Sequence, residues 1–136
     1  MLALAPSDLD FSEAYVDGDA TARWESAPGH SPSAGAQASG SSVLRVGAGC
    51  RLPRHTDSAE ETVVVVAGEA EIEVADQRAR VSAGGLAVIP KEVPHEVRNA
   101  GGETLLFVAV YAEPDVVTRY EQVIQPDGSR ERHTVS

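Results

Sequence analysis

From residue 43 onward the chain is a series of short apolar runs cut by turn residues, and no helical period persists through them. VLRVGAG, TVVVVAG, EAEIEVA, RARVSAG, LAVIP, HEVRNAG and TLLFVAVYAE each read as a strand or a strand end. Strands this short and this closely spaced must share a core, because an isolated hairpin buries too little to stand alone. The expected fold class is therefore all-β, a sandwich or a barrel. EAEIEV alternates with period two, so Ala70, Ile72 and Val74 should face one side and Glu69, Glu71 and Glu73 the other. TVVVVA does not alternate, which predicts burial on both faces, between two sheets or at a dimer interface.

At 136 residues the chain suits one domain. Its 11 Lys and Arg against 21 Asp and Glu give a net charge of −10, which opposes a nucleic-acid or anionic-membrane partner. The single cysteine, Cys50, cannot form an internal disulfide and reads as a small buried hydrophobe. MLALAPSDLDFSEAY has no basic flank and only a short apolar run, so neither a signal peptide nor a membrane span is expected. A cytoplasmic protein is the expectation.

Residues 1–26 are expected to form an N-terminal arm or edge strand, acidic through Asp8, Asp10, Glu13, Asp17 and Asp19. Residues 27–42, APGHSPSAGAQASGSS, have the composition of a flexible loop, either mobile or a lid. His30 within it is read as a solvated loop histidine. Residues 43–114 would form the barrel core, and 115–136 a last strand or short helix with a tail that leaves His133 frayed.

The chemistry concentrates in RHTDSAEET, residues 54–62. His55 and Asp57 are two apart, so on a strand their side chains leave one face with Cα atoms roughly 6.6 Å apart. Glu61 opens the next strand, where its carboxylate can point back toward them. A fourth group is His95, which opens a strand in PKEVPHEVRN. Imidazoles and carboxylates without a thiolate suit Fe(II), Mn(II), Ni(II), Cu(II) or Zn(II) rather than a structural zinc cage.

These residues stand at spacings that resemble the cupin family. GCRLPRHTDSAEETVVVVAG is similar to the first cupin motif, G-x5-H-x-H-x3-E-x6-G, through Gly49, His55, Glu61 and Gly68, with Asp57 in place of the second histidine. GGLAVIPKEVPHEVRN is similar to the second, G-x5-P-x-G-x2-H-x3-N, through Gly84, Pro90, His95 and Asn99, with Glu92 where a glycine is usual. The resemblance implies a cupin-type antiparallel β-barrel, a double-sheet jelly roll. It also implies one divalent metal ion near one mouth, held by His55, Asp57, Glu61 and His95. Parity and motif spacing prefer Glu61 to Glu60, and Asn99 and Pro90 read as turn and supporting residues.

Two carboxylates beside two imidazoles favour Fe(II) or Mn(II), with Ni(II) or Zn(II) possible. His55, Glu61 and His95 alone make a two-His-one-carboxylate set, leaving Asp57 as a fourth ligand or a general base; Asp57 and Glu61 are the candidate catalytic residues. The expected function is a metal-dependent enzyme of the dioxygenase, isomerase or cyclase kind. Its small-molecule substrate is expected to be partly hydrophobic, because the inward positions Val63, Val65, Ile72, Val88, Val97, Phe107 and Val110 are apolar. The alternative is a non-catalytic barrel that binds a small ligand or a metal. A homodimer is expected.

Overall fold

The computed structural model describes residues 1–136, with twelve strands, two short 3-10 turns and no α-helix. The strands are β1 (Ser12–Val16), β2 (Asp19–Pro28), β3 (Gly40–Val46), β4 (Arg51–Asp57), β5 (Glu61–Ala67) and β6 (Glu69–Val74). They continue with β7 (Gln77–Ser82), β8 (Leu86–Ile89), β9 (His95–Asn99), β10 (Leu105–Tyr111), β11 (Val116–Ile124) and β12 (Ser129–Val135). They form two facing antiparallel layers, β1-β2-β3-β10-β5-β8 and β7-β6-β9-β4-β11-β12. A single parallel bridge, Ala22 to Arg51, joins β2 to β4 and nearly closes the barrel. The all-β class is the one that the strand pattern predicts, and the double-layered barrel is the one that the cupin resemblance implies.

The interior is a single cluster of 23 buried apolar residues, drawn from alternate positions of both layers. Leu105, Phe107, Ala109 and Tyr111 of β10 point inward, and so do Ala70 and Ile72 of β6. Glu69, Glu71 and Glu73 point outward, where Arg80, Arg78 and Arg54 meet them. The wet face read from EAEIEV is thus an ion-paired one.

β5 departs from its expected two-sided burial. Val63 and Val65 are buried inward, but Val64 is half-buried and Val66 is 52% exposed on the outer side. A barrel has one interior, and the outer side of this strand faces away from it, with Val66 at the edge of a hollow that Met1–Leu9 also line. The outer apolar face continues through Leu86 and Val88 of β8, 61% and 56% exposed, and through Leu106 and Val108 of β10.

The flanking segments are more ordered than their composition suggests. Ala27 and Pro28 belong to β2 and Gly40 to Ser42 belong to β3, so only 29–39 lies outside strands, with a 3-10 turn at Pro32–Ala34. His30 is half-buried and bonded, with Nδ1 at 2.7 Å from the Ser41 hydroxyl and Nε2 at 2.9 Å from that of Ser39. It is not a solvated histidine. At the other end 116–124 is strand and not helix, and His133 is paired opposite Val117 in β12 instead of fraying. Cys50 is half-buried against the core.

Candidate metal centre

An irregularity in β4 builds half of the site. Pairing with β9 shifts register between Leu52 and His55, around Pro53, a residue with no N–H to give to a ladder. Leu52 and His55 would face opposite sides of a regular strand. The extra residue brings both inward, and Asp57 follows His55 on the same face. The carbonyl of Pro53 then accepts a 2.6 Å hydrogen bond from His55 Nδ1. β9 repeats the device, with His95 Nδ1 donating to the Val93 carbonyl at 2.9 Å. A carbonyl only accepts, so both Nδ1 atoms carry protons and both Nε2 atoms are turned into the barrel.

Glu92, which stands where a glycine is usual in the second motif, has φ +62° in the turn before His95. Its N–H donates to the Asp57 carbonyl at 2.8 Å, tying this turn to the end of β4. Such a left-handed backbone costs a non-glycine residue roughly 1–2 kcal/mol.

His55 and Asp57 of β4 and His95 of β9 stand on one layer, and Glu61 of β5 comes from the facing one. Their four ligand atoms lie within 4.8 Å of one another, all in buried side chains. His95 Nε2 is 3.1 Å from Asp57 Oδ2 and 3.2 Å from Glu61 Oε1, and the two imidazole centroids are 4.1 Å apart. Glu60 is exposed, as expected, while Glu61 is 3% exposed. Asn99 donates to the Val46 and Glu103 carbonyls and accepts from Gly101, a turn residue outside the cluster.

The four side chains set one another's charge. Burial, reinforced by the neighbouring His95 charge, lowers His55 to about 4, so it is neutral with its Nε2 lone pair facing the carboxylates. Burial alone would lower His95 too, but Asp57 and Glu61 raise it to about 10. The His95 proton therefore serves as the local cation. Burial pushes Glu61 up to about 7, and the charge of Asp57 adds to the push. Burial opposes the charge on Asp57, yet His95, His55 and Thr118 hold its carboxyl down at about 2.

One proton does not satisfy the set. Asp57 Oδ2 is buried without an aligned donor, and it faces the His55 Nε2 lone pair at 3.6 Å. Two acceptors held face to face in buried side chains are costly unless a cation sits between them. These four residues fit a divalent transition metal ion, which would replace the His95 proton.

Above the cluster opens a cleft of about 390 Å³. Its walls are Trp24, Leu44, Leu52, Tyr111 and Tyr120, and its rim carries Ser12, Glu13, Ser26, Asp127, Arg132 and Thr134. Tyr120 stacks on Trp24 at 5.4 Å between ring centroids and lies 5.2 Å from the His55 ring. None of the apolar residues expected to line the pocket does so. Val63, Val65, Ile72, Val97 and Phe107 point inward but are packed solid as core, whereas Val88 and Val110 point outward. The cleft wall comes instead from Trp24 and Tyr120 of the terminal hairpins with Leu44, Leu52 and Tyr111 of the barrel, and it is more polar than the sequence suggested. A larger hollow of about 810 Å³ lies elsewhere, between Met1–Leu9, the 29–36 turn and the outer face of β3 and β10. It contains none of the four cluster residues. Of the segment 27–42, only the strand-end residues Ala27, Pro28 and Ser42 reach the cleft.

Sequence reasoning missed Thr118, Trp24, Tyr111 and Tyr120. The available signal for two of them was parity: in VVTRYEQVI, Val116, Thr118 and Tyr120 share one strand face.

Comparison with known proteins agrees with this architecture. The Cupin domain family matches residues 42–111. Among solved structures, oxalate decarboxylase from Lactobacillus farciminis in its formate complex superposes with a TM-score of 0.67 at 22% identity, over 79% of this chain and 32% of that one. The Bacillus subtilis oxalate decarboxylase gives 0.63 at 19% identity, over 67% of this chain and 26% of that one. The chain thus spans about a quarter to a third of these enzymes, and the likeness concerns the fold. A protein of unknown function from Streptococcus pyogenes gives 0.57 at 24% identity, over 68% of this chain and 76% of that one. No curated protein matches in sequence. No helix is long and apolar enough to cross a membrane. With just over half its length matched by that family and its barrel superposing on cupin structures, the chain belongs to the Cupin domain family.

Proposed function

We propose that the protein is a metal-dependent enzyme that holds one divalent ion, Fe(II) or Mn(II), on His55, Asp57, Glu61 and His95. Its substrate would be a small, flat organic molecule with two neighbouring oxygen atoms. The observation that carries the reading is the facing pair of buried acceptors, His55 Nε2 and Asp57 Oδ2, at the floor of an open cleft. Oδ2 converges with both imidazoles, which supports Asp57 as a ligand rather than a base.

Bound there, the ion would supply Lewis acidity and a site for chelating oxygens or dioxygen. The protein supplies binding and exclusion of water. Trp24, Tyr111 and Tyr120 offer flat apolar surface to an aromatic or enolic body. Burial raises both tyrosine hydroxyls well above their ordinary range, so they stay protonated and can donate to a substrate oxygen.

Charge narrows the substrate class. Asp57 and Glu61 together balance a divalent ion, and Arg132, the only Lys or Arg at the cleft, is already paired with Asp127 at 2.7 Å. Glu13 at the rim is likewise paired, with Arg23 at 2.9 Å. No positive charge is left over for a dianion. Oxalate, named in two of the structural relatives, therefore fits less well than a catechol or a 1,3-diketone, which chelate as neutral or singly charged ligands. Dioxygenase, isomerase and cyclase chemistry are the three reactions to separate.

The outer apolar face of Val66, Leu86 and Val88 supports a homodimer, and a cytoplasmic setting suits a lone Cys50. The test of function is turnover by protein reconstituted with Fe(II) or Mn(II), offered catechols and 1,3-diketones under air and under nitrogen. Product that needs both the metal and air indicates a dioxygenase; product under nitrogen indicates an isomerase or cyclase. Tight binding without any product would favour a ligand-binding module.

A further inference from the structure

Asp57 is where this chain departs from the usual cupin ligand set, and a carboxylate in that position poses a problem a histidine does not. An imidazole anchored at Nδ1 has one remaining nitrogen and hence one way to face the site. A carboxylate has two equivalent oxygens and a loose terminal torsion, so something must fix which oxygen faces inward. The neighbouring strand supplies that constraint. Thr118 of β11 stands directly opposite Asp57 of β4 in the ladder, and its side chain is 2% exposed. Its hydroxyl donates to Asp57 Oδ1 at 2.6 Å, leaving Oδ2 turned to the two imidazoles.

The hydroxyl protons can be counted. An ionised carboxylate only accepts, so the one Thr118 proton is committed to Oδ1. Thr118 Oγ1 also makes a short contact with Thr134 Oγ1, and with its own proton spent it must accept there. Thr134 of β12 is therefore the donor, and the chain runs one way, from the rim of the cleft through Thr118 to Asp57. Each donor polarises the next. β11 and β12 lie outside residues 42–111, so this support comes from the C-terminal hairpin and not from the two motifs.

We propose that the Thr134–Thr118 hydroxyl chain is the device that makes Asp57 a usable metal ligand, holding its carboxylate so that Oδ2 alone binds while Oδ1 is kept occupied. Thr118 is a positioning residue: it acts through Asp57. The proposal rests on the metal reading above, and its test distinguishes the failure of one from the failure of the other.

The probe is Mn(II) alone, titrated into metal-free protein against a competing chelator. The wild type should bind one ion per chain. T118V, which keeps the shape and removes the hydroxyl, should lose about 10- to 100-fold in affinity, the usual effect of removing a group that orients a ligand. T118S restores the donor and should return close to the wild type. T134V should lose affinity in the same direction by a smaller factor, since Thr118 keeps its proton but is no longer held. The decisive comparison uses D57H, where no carboxylate remains to be oriented: there the added T118V change should no longer lower affinity. Should T118V fail to fold, T134V and T118S give the same answer through the hydroxyl chain's other member and its rescue. Wild-type affinity in T118V, an equal loss in T118S, or an undiminished loss in the D57H background would each overturn the proposal and leave the metal site standing. A wild type that binds no Mn(II), Fe(II), Ni(II) or Zn(II) would overturn both.

Discussion

The floor and the mouth of the cleft are made of largely different parts of the chain. The floor takes His55, Asp57, Glu61 and His95 from β4, β5 and β9, all inside the family-matched residues 42–111. The mouth takes Trp24 from β2, Tyr120 from β11 and Arg132 from β12, all outside them, beside Leu44, Leu52 and Tyr111, which lie within. The floor is buried and short of positive charge, whereas the mouth is aromatic on its walls and ion-paired at its rim. The difference separates two tasks. Holding an ion needs fixed spacing within adjacent strands, while the aromatic side of the cleft comes mainly from the terminal hairpins, the C-terminal one of which also lends Thr118 and Thr134 to the support of Asp57.

The largest effect expected from breaking the floor is that of His95→Ala. It removes the group that bridges both carboxylates, and metal should be lost on dialysis, a greater loss than the 10- to 100-fold typical of supporting residues. Competition titration checks this, and retention of a full equivalent would end the division of labour described above.

A pH series should show the next largest effect. To bind metal the floor must shed the His95 proton, held up to about 10, and below neutrality the Glu61 proton as well, held at about 7. Affinity should therefore rise with pH, by about tenfold per unit above pH 7 and up to about a hundredfold per unit below it. Proton release on binding, read by calorimetry in buffers of different ionisation enthalpy, should step from about one to about two across that point. A flat profile would mean that the cluster does not exchange protons for metal.

In the mouth, Tyr120→Leu should leave Mn(II) affinity nearly unchanged and weaken catechol binding to the loaded protein by up to about tenfold, the worth of one aromatic contact. An equal loss of both would erase the distinction between floor and mouth. The smallest effect belongs to the rim. Asp127 is held below the usual carboxylate range by its hydrogen bond with Arg132, so the pair stabilises the fold above the ordinary aspartate pKa and the contribution fades as pH falls. Asp127→Asn should cost at most about 1 kcal/mol in urea denaturation near pH 7, since the pair is partly exposed.

The same division explains what could be read from sequence. His55, Asp57, Glu61 and His95 were legible because ligands on neighbouring strands impose local spacing, and the turn glycines and Asn99 mark where those strands end. The lining of the cleft was not legible. Period-two alternation tells which residues share a face but not which face is the interior, and it does not tell how deep along the barrel a residue sits. Val63 and Phe107 are therefore correctly inward yet belong to the packed core, and Val88 is outward. The run TVVVVA hid its alternation because both of its faces are apolar, one toward the core and one toward the exterior. Thr118 and Tyr120 were lost in a segment whose residues suit strand and helix equally. Only the pairing of β11 with β4 puts them beside Asp57 and His55.

The central claim is that the buried cluster is a single metal site, and metal content tests it most directly. Untagged protein, purified without chelators and analysed by elemental mass spectrometry beside His55→Ala, Asp57→Ala and His95→Ala preparations, should carry one equivalent of Fe or Mn per chain. The two histidine variants should carry essentially none and Asp57→Ala a reduced fraction. A wild type that stays metal-free after supplementation, or variants that retain the full equivalent, would contradict the account.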